Sequence, residues 1–129
     1  MSEFRRRFVV AAAIVAPALC AAGSKPDIEN GKTTFDTMCG VCHSVQKTGG
    51  PTEGPNLLGV VGRKAGSEPE FTMYSPALKD SKITWSKKTL DTFLLNPMAR
   101  VPGTLMPMLI ADDKTRADVV AYLATLKKK

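Results

Sequence analysis

The segment CGVCH at residues 39–43 constrains this chain more than any other, because it gathers most of the available thiol and imidazole side chains. The 129-residue sequence contains three cysteines and one histidine, and only Cys20 lies outside this segment, in an apolar N-terminal stretch. A structural zinc site needs four protein ligands. Two cysteines and one histidine cannot complete such a site, so the segment points to another kind of chemistry.

Two other kinds of site use two cysteines separated by two residues. A thioredoxin-like redox pair follows a strand within a βαβ unit, and the flanking segments GKTTFDT and SVQKTGG are not strand-like. Cys-x-x-Cys-His is instead the signature of covalent haem attachment. Residues three apart on a helical turn share a face, so Cys39 and Cys42 can reach one edge of a haem while His43 binds its iron. The segment therefore predicts one covalently bound haem c.

The N-terminus has the pattern of a secretory signal, with three arginines at 5–7, an apolar run and small residues at 20–24. The apolar stretch 8–22 has only 15 residues, whereas a membrane-spanning helix needs about 18 or more. We therefore expect residues 1–23 to be a cleaved signal peptide, residues 24–129 to form one domain, and the protein to be periplasmic. An uncleaved membrane anchor is the alternative.

Charge argues against a nucleic-acid partner. The net charge is +6, but removing residues 1–23 leaves 15 basic and 11 acidic side chains, and three of the basic ones form the C-terminal tail KKK. The remaining body is close to neutral and lacks the basic stripe that nucleic-acid binding requires. The lysine tail is expected to be a solvated end.

Helical patterns occur in four places, and no strand-like alternation of useful length is present. The four are Asp27–Val41, a short helix capped by Ser75, a helix capped by Ser86 that stops at Asn96-Pro97, and a helix capped by Asp112 or Asp113. Loops 44–74 and 96–111 join them, and loops that long in a compact domain need something to pack against. A buried haem would supply that centre. The helical patterns, without strand-like alternation, predict an all-α fold.

Five segments, taken in order, resemble the class I c-type cytochromes, in particular the bacterial electron carriers close to mitochondrial cytochrome c. They are GKTTF…CGVCHSV, GPNLLGVVGRKAG, YSPALK…ITW, NPMARVPGTLM and RADVVAYL, and the match covers essentially all of Gly31–Leu126. The resemblance implies the small cytochrome c fold, in which four to five helices and long loops surround one covalently bound haem c.

The resemblance also implies a role for each matching residue. Cys39 and Cys42 would carry the thioether bonds, and His43 and Met106 would be the axial ligands of the iron. The other implied site residues are Pro55, which would accept the ring N–H of His43, Arg63, Tyr74 and Trp85, which would hold a haem propionate, and Thr104 in the haem pocket. Gly31 and Phe35 would meet Val119 and Tyr122 where the first and last helices cross.

Two methionines compete for the role of sixth ligand, because Met106 and Met108 flank Pro107. Methionine is usually a gap-filler in protein cores. In the family the ligand follows a Pro-Gly-Thr lead-in, which here precedes Met106. Met108 would then be an apolar cover of the haem edge.

The chain also departs from the family. Phe93 replaces a tyrosine that relatives often have, and Leu78 replaces a polar residue that helps to hold a buried water. Both changes imply a drier pocket. Met98, Ala99 and Leu105 occupy positions where mitochondrial relatives carry lysines, so the predicted docking face is more apolar.

Iron held by histidine and methionine has both axial positions filled by protein, which suits one-electron transfer. The resemblance thus implies a monomeric electron carrier without catalytic residues, which meets membranes only through its partners. The expected donor is a quinol-oxidising cytochrome complex or a periplasmic dehydrogenase, and the expected acceptor is an oxidase or a reaction centre. A haem-based sensor or gas-binding protein with a labile sixth ligand is the alternative. A peroxidase-like enzyme would need distal acid–base residues, and His43 is the only histidine.

Overall fold

A computed structural model describes residues 23–48, 50 and 52–128 of the chain, and within these ranges its architecture is helical. The helices are α1 (Ile28–Thr34), which continues into a π-helical turn (Phe35–Cys39), α2 (Pro76–Asp80), α3 (Lys87–Leu95), α4 (Pro97–Arg100) and α5 (Asp113–Thr125). In the described ranges, extended backbone pairs only at an isolated bridge between Lys64 and Thr84. The all-α fold is confirmed. The expected signal peptide lies, apart from Gly23, outside the described residues.

The predicted N-caps are present. The side chains of Ser75, Ser86 and Asp112 each accept a hydrogen bond from a backbone N–H of the first turn of α2, α3 and α5, respectively. The predicted stop at Asn96-Pro97 is also present, but it is followed by α4, which the sequence patterns did not predict. Proline is favoured at the first position of a helix, and the Asn96 side chain accepts from the Ala99 N–H at 3.0 Å. One dipeptide therefore ends α3 and begins α4.

The first helix is less regular than the expected single helix over residues 27–41. The Gly40 N–H donates to the Phe35 carbonyl at 2.7 Å, a bond that spans five residues and defines a π turn. The Thr37 hydroxyl donates to the carbonyls of Thr33 and Thr34 at 3.0 and 3.1 Å, and such back-bonding competes with the helical ladder. The π turn ends at Cys39 and leads directly into the CGVCH segment.

Helices α1 and α5 cross in close contact. Gly31 lies against the backbone of Asp118, and the rings of Phe35 and Tyr122 pack at a centroid distance of 5.5 Å. Val119 is fully buried. The crossing predicted for Gly31 and Phe35 with the last helix is therefore present, and it fixes the helical segment that ends at Cys39 and leads to Cys42.

A buried carboxylate reinforces this crossing. Asp118 accepts from the Asp27 N–H and the Asn30 amide, both at 2.7 Å, and from Lys114 at 2.6 Å. Burial alone would raise the pKa of Asp118, but these hydrogen bonds and the Lys114 charge outweigh it and lower the pKa to about 2. Asp118 thus stays ionised in neutral solution and ties the start of α1 to α5.

The hydrophobic core lies where α3 and α5 face the π turn and the loops. Its buried members include Cys39, Trp85, Phe93 and Leu123, and Leu78 and Met106 pack against it. Ile28, the first residue of α1, lies outside this core and is 49% exposed. None of the helices in the described part of the chain is long and apolar enough to cross a membrane.

Candidate haem site

The CGVCH segment forms a compact turn closed on one carbonyl. The amides of Cys42 and His43 both donate to the Cys39 oxygen, at 3.0 and 2.9 Å. Cys39 is buried and Cys42 partly exposed, and both thiols are free. Val41, between them, is 67% exposed. The turn predicted from the spacing of the cysteines is therefore present, with both thiols available for covalent attachment.

The electrostatics of the Cys39 thiol do not suit a redox pair. Burial, with a smaller contribution from Cys42, raises the pKa of the Cys39 thiol to about 11. Catalytic dithiols work as thiolates, and their environment lowers the pKa of the attacking cysteine. Cys39 stays protonated in neutral solution, so this arrangement argues against a thioredoxin-like activity.

The His43 ring is held by the segment that follows the CGVCH turn. Its Nδ1 lies 2.8 Å from the Pro55 carbonyl oxygen, so the ring donates from Nδ1 and leaves Nε2 free to bind a metal. Burial lowers the pKa of His43, the bond to Pro55 opposes that effect, and the charge of Arg63 lowers the pKa further. The imidazole is therefore neutral, the form that binds metals.

Gly54 allows this arrangement because its backbone packs directly on the imidazole. A Cβ at residue 54 would lie 2.5 Å from Cε1 and 2.7 Å from Nδ1 of His43. The Gly54 N–H donates to the Cys42 carbonyl at 2.8 Å, and the Thr52 hydroxyl donates to the same oxygen. Two free thiols on one turn, beside an imidazole with one nitrogen free and its ring clamped, are a donor set that fits haem c.

The two methionines differ in their surroundings. Met106 is half-buried and packs against the core cluster that contains Cys39 and Phe93, whereas Met108 is 38% exposed. The Met106 N–H lies 3.4 Å from the hydroxyl of Thr104, which is itself buried. Of the two methionines, Met106 is thus the one that packs inward, and its role as ligand stays a prediction.

The loop that carries Met106 is anchored by a residue that the sequence analysis did not single out. Arg116 is 5% exposed. It donates to the carbonyls of Ile110 and Ala111 at 3.0 and 3.2 Å, and to Asp91 and Asp113 at 2.7 and 2.6 Å. Its only sequence signal was a charged side chain on a largely apolar helix face.

The three residues expected to hold a propionate are connected to one another. The backbone N–H of Trp85 donates to the Arg63 carbonyl at 2.9 Å. The Trp85 ring packs edge-on against Phe93, with the ring centroids 5.1 Å apart. Tyr74 is linked to Arg63 through Glu68, because the Glu68 N–H lies 3.3 Å from the Tyr74 hydroxyl and the Glu68 carboxylate pairs with the Arg63 guanidinium. Arg63 and Tyr74 thus belong to one polar cluster, which Trp85 joins only through its backbone while its ring packs in the hydrophobic core.

Glu68 and Lys128 complete that cluster, and neither was expected to take part in it. Glu68 is 4% exposed, and its two carboxylate oxygens lie 3.2 and 3.0 Å from the Lys128 ammonium. Lys128 belongs to the tail that was expected to be a solvated end; its side chain is 55% exposed, but its ammonium group also pairs with Glu68. Glu68 was missed because it lies in a loop beside a second glutamate, Glu70, and the sequence does not show which is buried.

The chain is similar to known proteins over most of its length. The sequence model of the family described as Cytochrome c matches residues 28–127. Cytochrome c2 of Rhodomicrobium vannielii is 45% identical over 118 residues, which cover 91% of each chain, and cytochrome c of Tetrahymena pyriformis is 46% identical over 101 residues, covering 78% of this chain and 89% of the relative. Among solved structures, cytochrome cH from Methylobacterium extorquens is 41% identical with a TM-score of 0.68, covering 77% of this chain and 98% of that chain. The chain belongs to the cytochrome c family, whose members are electron carriers with a covalently bound haem c.

Proposed function

We propose that this protein is a mono-haem electron carrier whose iron is bound axially by His43 and Met106. The observation that carries the proposal is the His43 ring, which is neutral, fixed at Nδ1 by Pro55 and placed beside two free thiols. Haem held in this way supplies a one-electron couple, and a histidine–methionine pair raises its potential.

The other residues of the site bind and orient the haem. Cys39 and Cys42 carry the thioether bonds, and Pro55 holds the imidazole in one tautomer. Met106 offers its sulfur from a loop stiffened by Pro102 and Pro107 and anchored by Arg116. Arg63, Tyr74 and Trp85 hold the propionate end, and Thr104 lies in the pocket beside Met106.

The partners and the location follow from the same proposal. The N-terminal pattern directs export, so the mature carrier works in the periplasm. It acts there as a monomer. It takes electrons from a quinol-oxidising cytochrome complex or a periplasmic dehydrogenase, and it passes them to an oxidase or a reaction centre. Membrane contact then occurs only through these partners.

A carrier and a haem-based sensor differ in whether the sixth axial position is closed. We expect the oxidised protein to show the far-red charge-transfer band of methionine-bound ferric haem, and the reduced protein to bind carbon monoxide slowly or not at all. Absorption spectroscopy with stopped-flow mixing measures both. Rapid carbon monoxide binding by the unmodified protein would instead favour the sensor.

The surface of the Met106 loop predicts how the carrier meets its partners. Leu105 is 73% exposed and Met98 52% exposed, and Met108 and Leu109 are also exposed. Side chains of this kind favour apolar contact, whereas association steered by charge falls steeply with salt. The proposed docking face, Met98, Leu105, Met108 and Leu109, therefore binds mainly through burial of apolar surface.

Turnover with the electron donor should fall less than about twofold as salt rises from about 50 to about 200 mM, because charge contributes little to this docking. Steady-state kinetics with the donor complex measure this dependence. Leu105→Ser should slow turnover at both salt concentrations, while Lys87→Gln, which removes an exposed charge, should leave it nearly unchanged. A steep loss with salt, or a larger effect of the lysine substitution, would contradict the apolar docking face.

A further inference from the structure

Glu68 is a buried carboxylate that the proposed function does not use. It is 4% exposed, while the Arg63 side chain that pairs with it is 14% exposed. Burial of a charge is costly unless the charge is paired and hydrogen-bonded. Here Arg63 and Lys128 both neutralise the carboxylate, so the fold maintains a negative charge at this position through specific contacts.

A chain of contacts leads from Glu68 to the His43 ring. Glu68 pairs with Nη1 of Arg63, and Nη2 of the same guanidinium donates to the Asn56 carbonyl at 2.7 Å. The preceding residue, Pro55, accepts from the His43 ring at 2.8 Å. The Pro55–Asn56 segment therefore contacts the ring on one side and the guanidinium on the other.

Asn56 makes this connection stiff. It is buried, its side-chain amide donates to the Gln46 carbonyl at 2.8 Å, and its side-chain oxygen accepts from the Leu58 N–H at 2.8 Å. A displacement of Arg63 therefore acts on a held backbone segment.

We propose that Glu68 is a positioning residue of the haem site, which fixes Arg63 against the Pro55–Asn56 segment and offsets its positive charge, and so sets the reduction potential. The inference rests on the proposed function, in which His43 binds the iron and Arg63 lies at the propionate end. A positive charge near the iron favours the ferrous state, and a paired carboxylate reduces that effect. Glu68 thus lowers the potential of the carrier.

The test compares the midpoint potentials of variants of the covalently haem-loaded protein by spectroelectrochemistry. In Glu68→Gln the side chain keeps its size but loses its charge. The ferric-to-ferrous ratio at a fixed potential should then fall on the order of three- to tenfold, the scale of one unit charge acting through a partly screened interior. A tenfold change corresponds to about 59 mV for one electron. The matched control is Glu70→Gln, two residues away and exposed, which should leave the ratio unchanged.

Two further variants separate charge from packing. Glu68→Asp keeps the charge and should hold the potential near that of the unmodified protein, even if its melting temperature falls. Lys128→Gln removes a positive charge from a side chain that is 55% exposed, so it should lower the potential, by less than Glu68→Gln raises it. Equal potentials for Glu68→Gln and Glu70→Gln, or equal shifts for the Asp and Gln variants at 68, would overturn the proposal.

The test of Glu68 does not depend on which residue is the sixth ligand of the iron. These comparisons need only that haem is attached, whereas the proposed ligation is judged by the far-red band of the unmodified protein. A protein that lacks the band but shows the Glu68 shift would contradict the Met106 assignment alone. A protein that shows the band without the shift would contradict only the role of Glu68.

Discussion

Replacing Gly31 by alanine should lower the free energy of unfolding of the haem-loaded protein by about 3–5 kcal/mol, well above the effect of most single substitutions. A Cβ at residue 31 would lie 2.0 Å from the Asp118 carbonyl oxygen and 3.1 Å from the Tyr122 Cβ. The clashing atoms belong to the backbone of α5, so they cannot move aside as a flexible side chain can. The two helices would have to separate, which opens the packing around Phe35 and Tyr122.

Denaturant unfolding followed by circular dichroism measures this loss. The matched control is Gly50→Ala, because a Cβ at residue 50 meets nothing within 4 Å, and its effect should stay within about 0.5 kcal/mol. If Gly31→Ala unfolds at the same denaturant concentration as the unmodified protein, the close crossing of α1 and α5 is wrong. If that variant cannot be purified, Tyr122→Leu tests the same contact, since it removes the ring that packs on Phe35.

Most of the fold could be predicted because its signals are local. The N-caps at Ser75, Ser86 and Asp112 satisfy amides of their own first turn, so a few neighbouring letters suffice to place them. Helix α4 was not predicted because Asn96-Pro97 is typical of a helix end, although proline is also favoured at a helix start. The π turn was missed because hydrophobic periodicity does not detect local competition for backbone carbonyls, such as the two hydrogen bonds of the Thr37 hydroxyl.

The residues of the site also divide into those with a local sequence signal and those without one. The thiols, His43 and Pro55 lie within 17 residues. The Cys-x-x-Cys-His signature predicted the roles of the first three, the family resemblance implied that of Pro55, and the observed turn and hydrogen bond suit these roles. Glu68, Lys128 and Arg116 act through contacts between distant parts of the chain. Lys128 meets Glu68 across 60 residues, and Arg116 meets Asp91 across 25. Such pairs have no local sequence pattern. The sequence alone does not distinguish a buried charged residue from an exposed one, because the difference lies in its distant partners.

The departures at Phe93 and Leu78 also bear on the methionine side of the pocket. Phe93 is 5% exposed and packs edge-on against Trp85, and Leu78 packs against the same core cluster. Neither side chain has a hydroxyl or amide to offer to a neighbouring sulfur. The position of the Met106 sulfur then depends on the loop itself, through Thr104, the two prolines and the anchor at Arg116.

Replacing Met106, the proposed sixth ligand, should give the second large effect. In Met106→Ala the far-red band of the oxidised protein should disappear completely, and the reduced protein should bind carbon monoxide within the mixing time, because alanine leaves the sixth axial position open. The midpoint potential should fall, since the thioether that favours the ferrous state is lost. Absorption spectra, stopped-flow mixing and a redox titration measure these three changes.

Met108→Ala is the matched control, because it removes the same side chain two positions away, from a residue that is 38% exposed. It should keep the band and exclude carbon monoxide, with at most a small change in potential from greater access of water to the haem edge. If the band survives in Met106→Ala and is lost in Met108→Ala, the lead-in Pro-Gly-Thr does not identify the ligand. Loss in neither variant would assign the sixth position to another residue, and the inward packing of Met106 would then be ordinary core packing.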